Sequence, residues 1–164
     1  MKELDNKFFC ILPFIHFATS VNGEVRLCCK VPVSDSIEID NKKASLATHD
    51  IKTFWYSDYM STVRQQMING EAVKDCRQCY YEDSINLKSK RKNENEYYYN
   101  RYGEDLQTKV SMNPEMPVYL DLRLGNLCNL KCRMCSTQYS SQHVKEYNNL
   151  IKDYPTLAKD FGET

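Results

Sequence analysis

Residues 117–135 read PVYLDLRLGNLCNLKCRMC and combine an alternating segment with three closely spaced cysteines. From Pro117 to Leu124 an aliphatic side chain occupies every second position, which is the pattern of a half-buried β-strand. The cysteines follow in a loop with the spacing C-x3-C-x2-C, at Cys128, Cys132 and Cys135. Apolar residues at helical spacing then predict an amphipathic helix from Thr137 to Asp153. The stretch therefore predicts a strand, a cysteine loop and a helix in succession.

The spacing of these cysteines favours an iron–sulfur cluster with one open iron. Three thiolates on one short loop can close around one face of a cube, whereas most electron-transfer clusters use four cysteines. One iron then keeps a free position, where a substrate or cofactor can bind, as at the open position of a catalytic zinc. A structural zinc loop that lacks its fourth ligand is the alternative, although zinc sites favour paired C-x2-C elements that together supply four ligands.

The same stretch resembles the signature of the radical S-adenosylmethionine (SAM) superfamily, in which C-x3-C-x2-C directly follows a first strand. The flanking residues LRLGNLCNLKCRMC are also similar to that family. The resemblance implies that Cys128, Cys132 and Cys135 hold a 4Fe–4S cluster whose free iron binds the amino and carboxylate groups of SAM. It also implies that one electron from the cluster cleaves SAM to a 5′-deoxyadenosyl radical, which abstracts hydrogen from a substrate. The family often has an aromatic residue before the third cysteine, against the adenine, and here Met134 is expected to pack there.

The resemblance also implies a fold. A radical SAM core is a partial (β/α)6 barrel, and residues 113–164 would supply its first strand, its cluster loop and its first helix. With the aliphatic side of the strand against the helices, Tyr119, Asp121 and Arg123 would face inward beneath the cluster. We predict that Asp121 and Arg123 contact SAM or the substrate. We expect the chain to be part of a longer enzyme, or to be completed by a partner chain, because a whole barrel enzyme takes about 200 to 250 residues.

Four earlier cysteines form a second set. Asn22-Gly23 is a strong signal for a hairpin turn, and Cys10 and Cys28 lie on the two predicted arms of that hairpin. Cys76 and Cys79 form a C-x2-C pair after the first predicted long helix. Four thiolates close a site completely, so we predict a zinc or iron–sulfur centre that transfers electrons or stabilises a small domain and does not bind substrate.

This second set resembles the twitch domain, the short form of the SPASM auxiliary-cluster module, through the pattern C-x9–15-G-x4-C followed by C-x2-C. The resemblance implies a second 4Fe–4S cluster held by Cys10, Cys28, Cys76 and Cys79. Zinc remains an alternative, since four thiolates alone do not select between zinc and a cluster. The module usually follows a radical SAM core, whereas here it precedes the core as residues 1–112. Cys29 is interpreted as a spare buried thiol.

The first 112 residues predict an α+β module that contains a β-hairpin and helices. Residues 8–19 and 24–29 are predicted to form the strands of the hairpin, and residues 31–50 a polar loop. A helix is predicted from Ser57, which can cap it, to Asn69, and a second, polar helix over about residues 80–102. The predicted fold is thus an α+β module followed by the first βα unit of a partial α/β barrel.

The composition limits the function further. The 22 basic and 22 acidic residues give a formal net charge of zero, which argues against a nucleic-acid binder that works through bulk positive charge. No apolar stretch reaches the roughly 18 residues of a membrane span, and the N-terminus lacks the features of a signal peptide. We therefore expect a cytoplasmic protein, in which disulfides are the minority outcome. The expected partners are SAM, an unidentified substrate and an electron donor such as flavodoxin or ferredoxin. The competing function is a non-catalytic iron–sulfur or zinc module that acts as an electron carrier or scaffold.

Overall fold

Several helices begin where a short polar side chain can accept a hydrogen bond from the first helical turn. In the computed structural model, which describes residues 6–159, Asp50, Ser57 and Ser89 each accept a bond from the backbone amide three residues further on. These caps satisfy amides that the first turn leaves without a helical partner. The helices are α1 (Leu12–Ile15), α2 (Ile51–Trp55), α3 (Asp58–Ile68), α4 (Arg77–Ser84), α5 (Lys90–Tyr102), α6 (Leu106–Lys109) and α7 (Ser141–Asp153).

The main sheet has three short strands in the order β2-β1-β5. The strands of the structure are β1 (His16–Thr19), β2 (Val25–Arg26), β3 (Glu38–Ile39), β4 (Lys42–Lys43) and β5 (Tyr119–Asp121). The central strand β1 pairs antiparallel with β2, with Ala18 opposite Arg26, which confirms the predicted hairpin. It pairs parallel with β5 on its other side, with His16 opposite Tyr119. The strand that precedes the cysteine loop therefore belongs to the same sheet as the N-terminal hairpin.

A second, smaller hairpin lies within the segment predicted to be a polar loop. Strands β3 and β4 pair antiparallel, with Glu38 opposite Lys43. Asp40 and Asn41 connect them with φ values of 53° and 59°. Asp and Asn tolerate this left-handed region better than most residues, and a two-residue hairpin turn of this kind needs it at both positions. The prediction of a loop over residues 31–50 is therefore wrong at this point.

The core of the N-terminal part forms between the hairpin, α1, α2 and α3. Ile11, Phe14, Phe54, Trp55 and Met67 are each at most 1% exposed. They come from segments that are far apart in the sequence, so burying them fixes the helices against the hairpin.

A buried arginine lies in the same core. Arg64 is 0% exposed and its guanidinium group lies 4.4 Å from the centroid of the Trp55 ring. It donates hydrogen bonds to the backbone oxygens of Pro13 at 2.9 Å and Trp55 at 2.6 Å. This side chain therefore ties α3 to α1 and α2 through backbone acceptors.

Three predicted elements differ from the observed ones. The apolar run 8–19 contains helix α1 before the strand, because Pro13 suits the first turn of a helix. The predicted helix over residues 80–102 is two helices, α4 and α5, since Asn86 adopts a φ of 60° and Ser89 starts a new helix. Helix α3 agrees with the prediction, and α7 begins later than the predicted start at Thr137.

The chain divides into two compact units between Arg123 and Leu124. The first unit is a mixed α+β domain with a short β-hairpin and several helices, as the sequence predicts. By its contacts β5 lies in this unit, whereas the predicted boundary after residue 112 groups it with the cysteine loop. The second unit contains that loop and helix α7. Over residues 6–159, no helix is both long enough and apolar enough to cross a membrane.

Candidate metal centres

Four thiols lie in one neighbourhood of the first unit. Cys10 precedes α1, Cys28 follows β2, and Cys76 and Cys79 lie at the start of α4. Cys10, Cys28 and Cys79 are buried, and Cys76 is half-buried. Thiolate charges on the other three would all act on Cys10, so the structure brings the four predicted ligands together. Cys10 lies before α1 and not on a strand, because α1 interrupts the predicted arm of the hairpin.

Burial raises the pKa of all four thiols. It raises the pKa of Cys28 to about 11 and that of Cys76 to about 12, and the neighbouring thiols add to both effects. The pKa of Cys10 is raised well above its ordinary range by burial and then by the nearby thiols, and burial also raises the pKa of Cys79. Four thiolates in such a place need a compensating cation, which a thiolate-binding metal ion or cluster supplies.

At each of the four sulfurs a nearby donor lowers the pKa and so favours the thiolate form. Backbone amides are the donors at three sulfurs: Leu12 for Cys10, Lys30 and Val31 for Cys28, and Arg91 for Cys79. At Cys76 the group that lowers the pKa is a side chain, the hydroxyl of Tyr80, which in the structure donates to the carbonyl of Phe8. Hydrogen bonds to sulfur are part of the usual surroundings of metal-bound thiolates. The four thiols therefore fit either a zinc ion or an iron–sulfur cluster.

The thiols are neighbours without already forming a coordination shell. Among the residues that the structure describes, no group of three or more His, Cys, Asp or Glu side chains is arranged to hold a metal ion. A zinc–sulfur bond is roughly 2.3 Å long, so all four sulfurs would have to come within that distance of a common ion.

Helix α5 fixes the backbone on both sides of Cys10. The side chain of Asn95 donates to the carbonyl of Phe9 at 3.0 Å and accepts from the amide of Ile11 at 2.8 Å. Arg91, one turn earlier on the helix, donates to the same Phe9 carbonyl at 2.9 Å. In the sequence, only their i, i+4 spacing joins these two residues, and nothing there links them to Cys10.

A cavity of about 790 Å³ opens beside this part of the first unit. Its walls include the aromatic rings of Phe8, Tyr80 and Tyr99. Several of its charged groups already pair with one another or with neighbours: Asp83 with Arg91 and Lys92, and Glu96 with Lys88. The cavity therefore offers volume and aromatic surface, while much of its charge is neutralised within the protein.

In the second unit, the loop with the other three cysteines is tied to the start of α7. The hydroxyl of Ser140 donates to the carbonyl of Leu130 at 3.1 Å, and the amide of Ser141 donates to the carbonyl of Asn126 at 2.8 Å. The Nε2 atom of His143 lies 3.1 Å from the carbonyl oxygen of Cys132. These side chains and amides hold both halves of the loop, and no motif in the sequence marks them for this role.

The sulfurs of this loop are reachable from solvent. Cys132 is exposed, and Cys128 and Cys135 are partly exposed. The amide of Leu130 donates to the sulfur of Cys128 at 3.4 Å, so this loop also provides a backbone donor to a thiolate. Met134, the residue expected to lie against adenine, is 96% exposed.

Asp121 and Arg123 lie at the end of β5, in the first unit. Their side chains approach to 3.7 Å, and the amide of Arg123 donates to the hydroxyl of Thr19 at 2.9 Å. These contacts hold both residues against the sheet and leave the prediction that they bind SAM or substrate as a prediction.

The two faces of β5 do not lie as the sequence analysis expected. Helices were expected to cover the aliphatic row, yet Val118, Leu120 and Leu122 are 51%, 48% and 40% exposed. Tyr119, on the other face, packs against Tyr98 of α5, with ring centroids 6.3 Å apart. The reason is the parallel pairing with β1, which turns the polar face of β5 toward α5, so the expectation is wrong within the first unit.

A buried histidine shares that polar face. His16 is 1% exposed, and its ring centroid lies 4.4 Å from that of Tyr119. Burial lowers the pKa of His16 to about 4. The carboxylates of Asp121 and Glu94 oppose this shift and the ammonium of Lys90 adds to it. His16 is therefore neutral in the folded protein at physiological pH.

Comparisons with protein-family models, with curated proteins and with solved structures found no match for this chain. The function proposed for it therefore depends on the cysteine spacings and on the contacts described above.

Proposed function

We propose that this chain is a radical SAM iron–sulfur protein in which Cys128, Cys132 and Cys135 hold a 4Fe–4S cluster. The observation that carries the proposal is the C-x3-C-x2-C loop between strand β5 and the amphipathic helix α7. The amide donor at the Cys128 sulfur supports it, because hydrogen bonds stabilise metal-bound thiolates. The exposure of Cys132 supports it as well, because an exposed thiolate is accessible to an incoming cluster.

When bound, such a cluster supplies one electron to SAM, whose carbon–sulfur bond breaks to give methionine and a 5′-deoxyadenosyl radical that takes a hydrogen atom from the substrate. The residues of the chain position the loop for this chemistry, since Ser140 and His143 hold the carbonyls of Leu130 and Cys132. We assign Met134 to the adenine, because its exposed side chain is free to pack there. We assign Asp121 and Arg123 to SAM or the substrate.

The proposed fold of the catalytic part is a partial (β/α)6 barrel that begins with β5 and α7. The half-exposed aliphatic row of β5 supports this, since such a row is usually covered by other elements. Those elements would come from a longer form of the protein or from a partner chain. An electron donor such as flavodoxin or ferredoxin would reduce the cluster.

We propose a second 4Fe–4S cluster at Cys10, Cys28, Cys76 and Cys79. Burial of three of these thiols supports it, and so do the nearby donors that lower the pKa at each sulfur. Buried surroundings exclude water, so this closed site would transfer electrons or stabilise the domain. Zinc is the alternative occupant, because the same four thiolates suit a tetrahedral ion.

A non-catalytic role is the second candidate function. It is favoured by the closed, buried character of the four-thiol set within a unit that has its own hydrophobic core. In this case the protein would be an electron carrier or a scaffold.

Anaerobic reconstitution of the full chain with iron and sulfide tests these proposals. We expect about eight irons per chain, since each cluster has four. Replacing Cys128, Cys132 and Cys135 together by alanine should leave about four irons. The matched control is Cys29→Ala, which removes a half-buried thiol that belongs to neither set and should leave about eight.

Addition of SAM then separates the two candidate functions. In a radical SAM protein, SAM should change the electron paramagnetic resonance spectrum of the reduced loop cluster and yield 5′-deoxyadenosine. A chain that holds both clusters but shows neither effect is a carrier or scaffold. A colourless protein that binds zinc and no iron would contradict the iron–sulfur proposal altogether.

A further inference from the structure

Among the described contacts of the four-thiol set, only the donor near Cys76 belongs to a side chain. At the other three sulfurs, backbone amides lower the pKa of the thiol. A backbone donor stays the same when a residue is exchanged, whereas a side-chain donor can be removed. Tyr80 therefore determines a property of the site that the rest of the fold does not.

Helix geometry directs Tyr80 toward Cys76. Cys76 is the residue that precedes α4, and Tyr80 follows it by four positions, so the two lie on one face of the helix. Side chains on a helix lean toward its N-terminus, which brings the ring of Tyr80 back over Cys76.

Contacts on several sides fix the Tyr80 ring and its hydroxyl. The ring meets the ring of Phe8 edge-on at 5.0 Å, and the guanidinium of Arg91 lies 5.7 Å from its centroid. The hydroxyl accepts a hydrogen bond from the amide of Val73 at 3.3 Å and donates one to the carbonyl oxygen of Phe8 at 3.2 Å. These contacts fix the hydroxyl, which lies close enough to Cys76 to lower the pKa of that thiol.

The Tyr80 hydroxyl has one proton and two acceptors in reach, the Phe8 carbonyl and the Cys76 sulfur. A neutral thiol is a weak acceptor, so the carbonyl takes the proton in that state. A thiolate that binds a metal carries negative charge and is the stronger acceptor. Metal binding is therefore expected to turn the hydroxyl from Phe8 to Cys76.

We propose that Tyr80 is a positioning residue that raises the reduction potential of the four-thiol cluster by donating a hydrogen bond from its hydroxyl to the Cys76 sulfur. The inference rests on the iron–sulfur occupancy proposed above. A donor at a cluster sulfur withdraws negative charge, which makes it easier to add an electron.

The test compares Tyr80→Phe with Tyr81→Phe in the full chain, with Cys128, Cys132 and Cys135 replaced by alanine so that one cluster gives the signal. Tyr80→Phe removes the hydroxyl and keeps the ring. Tyr81 is the adjacent residue, 60% exposed, and serves as the matched control. The readout is the midpoint potential from an anaerobic redox titration followed by absorption.

We expect the Tyr80→Phe cluster to be about tenfold harder to reduce, a shift of about 59 mV to lower potential for one electron. Tyr81→Phe should keep the original potential. A 3,5-difluorotyrosine placed at position 80 is a stronger donor and should shift the potential upward. If the phenylalanine variant does not retain its iron, the fluorinated variant alone tests whether the Tyr80 hydroxyl raises the reduction potential.

Two results would overturn the inference, and they differ from each other. Normal iron content with the same potential in all variants would refute the role of Tyr80 while leaving the cluster in place. A four-thiol site that holds zinc and cannot be reduced would refute the cluster itself, and the role of Tyr80 with it.

Discussion

Replacing His16 by phenylalanine is expected to make the free energy of unfolding less dependent on pH. The folded protein holds this imidazole with a pKa of about 4, because the ring is buried between the sheet and α5. In the unfolded chain the pKa returns to about 6.5. Between these values the unfolded chain binds a proton that the folded protein does not bind. Stability is therefore lost as the pH falls through this range.

The size of this effect follows from the same two pKa values. One pKa unit corresponds to about 1.36 kcal/mol, so lowering the pH from 8 to 5 should cost the folded state about 2 kcal/mol through His16 alone. Asp121, Glu94 and Lys90 surround the ring and keep their charges in the variant. The difference between the two proteins thus isolates the imidazole.

Urea unfolding at pH 8, 6 and 5, at the same metal content, measures this difference. The unaltered protein should lose about 2 kcal/mol more than His16→Phe over that range. His49→Gln, at a half-buried histidine beside Thr48, is measured in parallel as the control for loss of an imidazole elsewhere in the chain. An identical pH dependence for the unaltered protein and His16→Phe would show that the imidazole is not buried as described.

Three further substitutions test the packing of the first unit. Arg64→Ala should lower the free energy of unfolding, measured in urea, by about 3 kcal/mol, because it removes two hydrogen bonds and a ring contact. The control is Arg77→Ala, which removes an exposed arginine and should lower the free energy of unfolding by under about 1 kcal/mol. Equal effects of the two substitutions would contradict the burial of Arg64. Gly23→Ala should cost about 1 kcal/mol, since φ is 77° at this turn, and an unchanged melting temperature would argue against that turn. Arg91→Lys keeps the charge but loses the forked contact with Asp83, so the free energy of unfolding from thermal unfolding should fall by about 2 kcal/mol. An unchanged free energy of unfolding would mean that the contact is not formed.

Local elements could be predicted from the sequence because their causes are local. Helix α3 follows from the cap at Ser57 and from Met60, Val63 and Met67 on one face, and all four behave as expected. The hairpin of β1 and β2 follows from Asn22-Gly23, where the glycine takes a positive φ.

The pairing of β1 with β5 could not be predicted in this way. The register of His16 with Tyr119 joins residues about a hundred positions apart, and neither strand carries a signal for the other. This pairing also decides which face of β5 lies under α5: it is the polar face, and the aliphatic row stays half-exposed. Tertiary packing thus overrode a pattern that was correct for the strand itself.

The candidate site shows the same division. Cysteine spacing predicted two sets of thiols, and in the structure Cys28, Cys76 and Cys79 lie close enough to Cys10 for their charges to act on it. That either set holds a metal stays a prediction. The groups that support them, such as Tyr80 and Asn95, become neighbours only when α4 and α5 pack against the segment around Cys10. No spacing in the sequence reports that packing.

The parallel pairing of β1 with β5 also sets an order of events during synthesis. β5 is made roughly a hundred residues after β1, which takes about 5 to 20 s at typical rates of translation. All four cysteines of the first set precede β5 in the chain, and the cysteine loop follows it. Cys79 completes that set about 40 residues before β5 begins at Tyr119, so the metal site that we propose there has about 2 to 8 s of its own to form. During that time the central strand still has an open edge and the second cysteine loop has not yet been made.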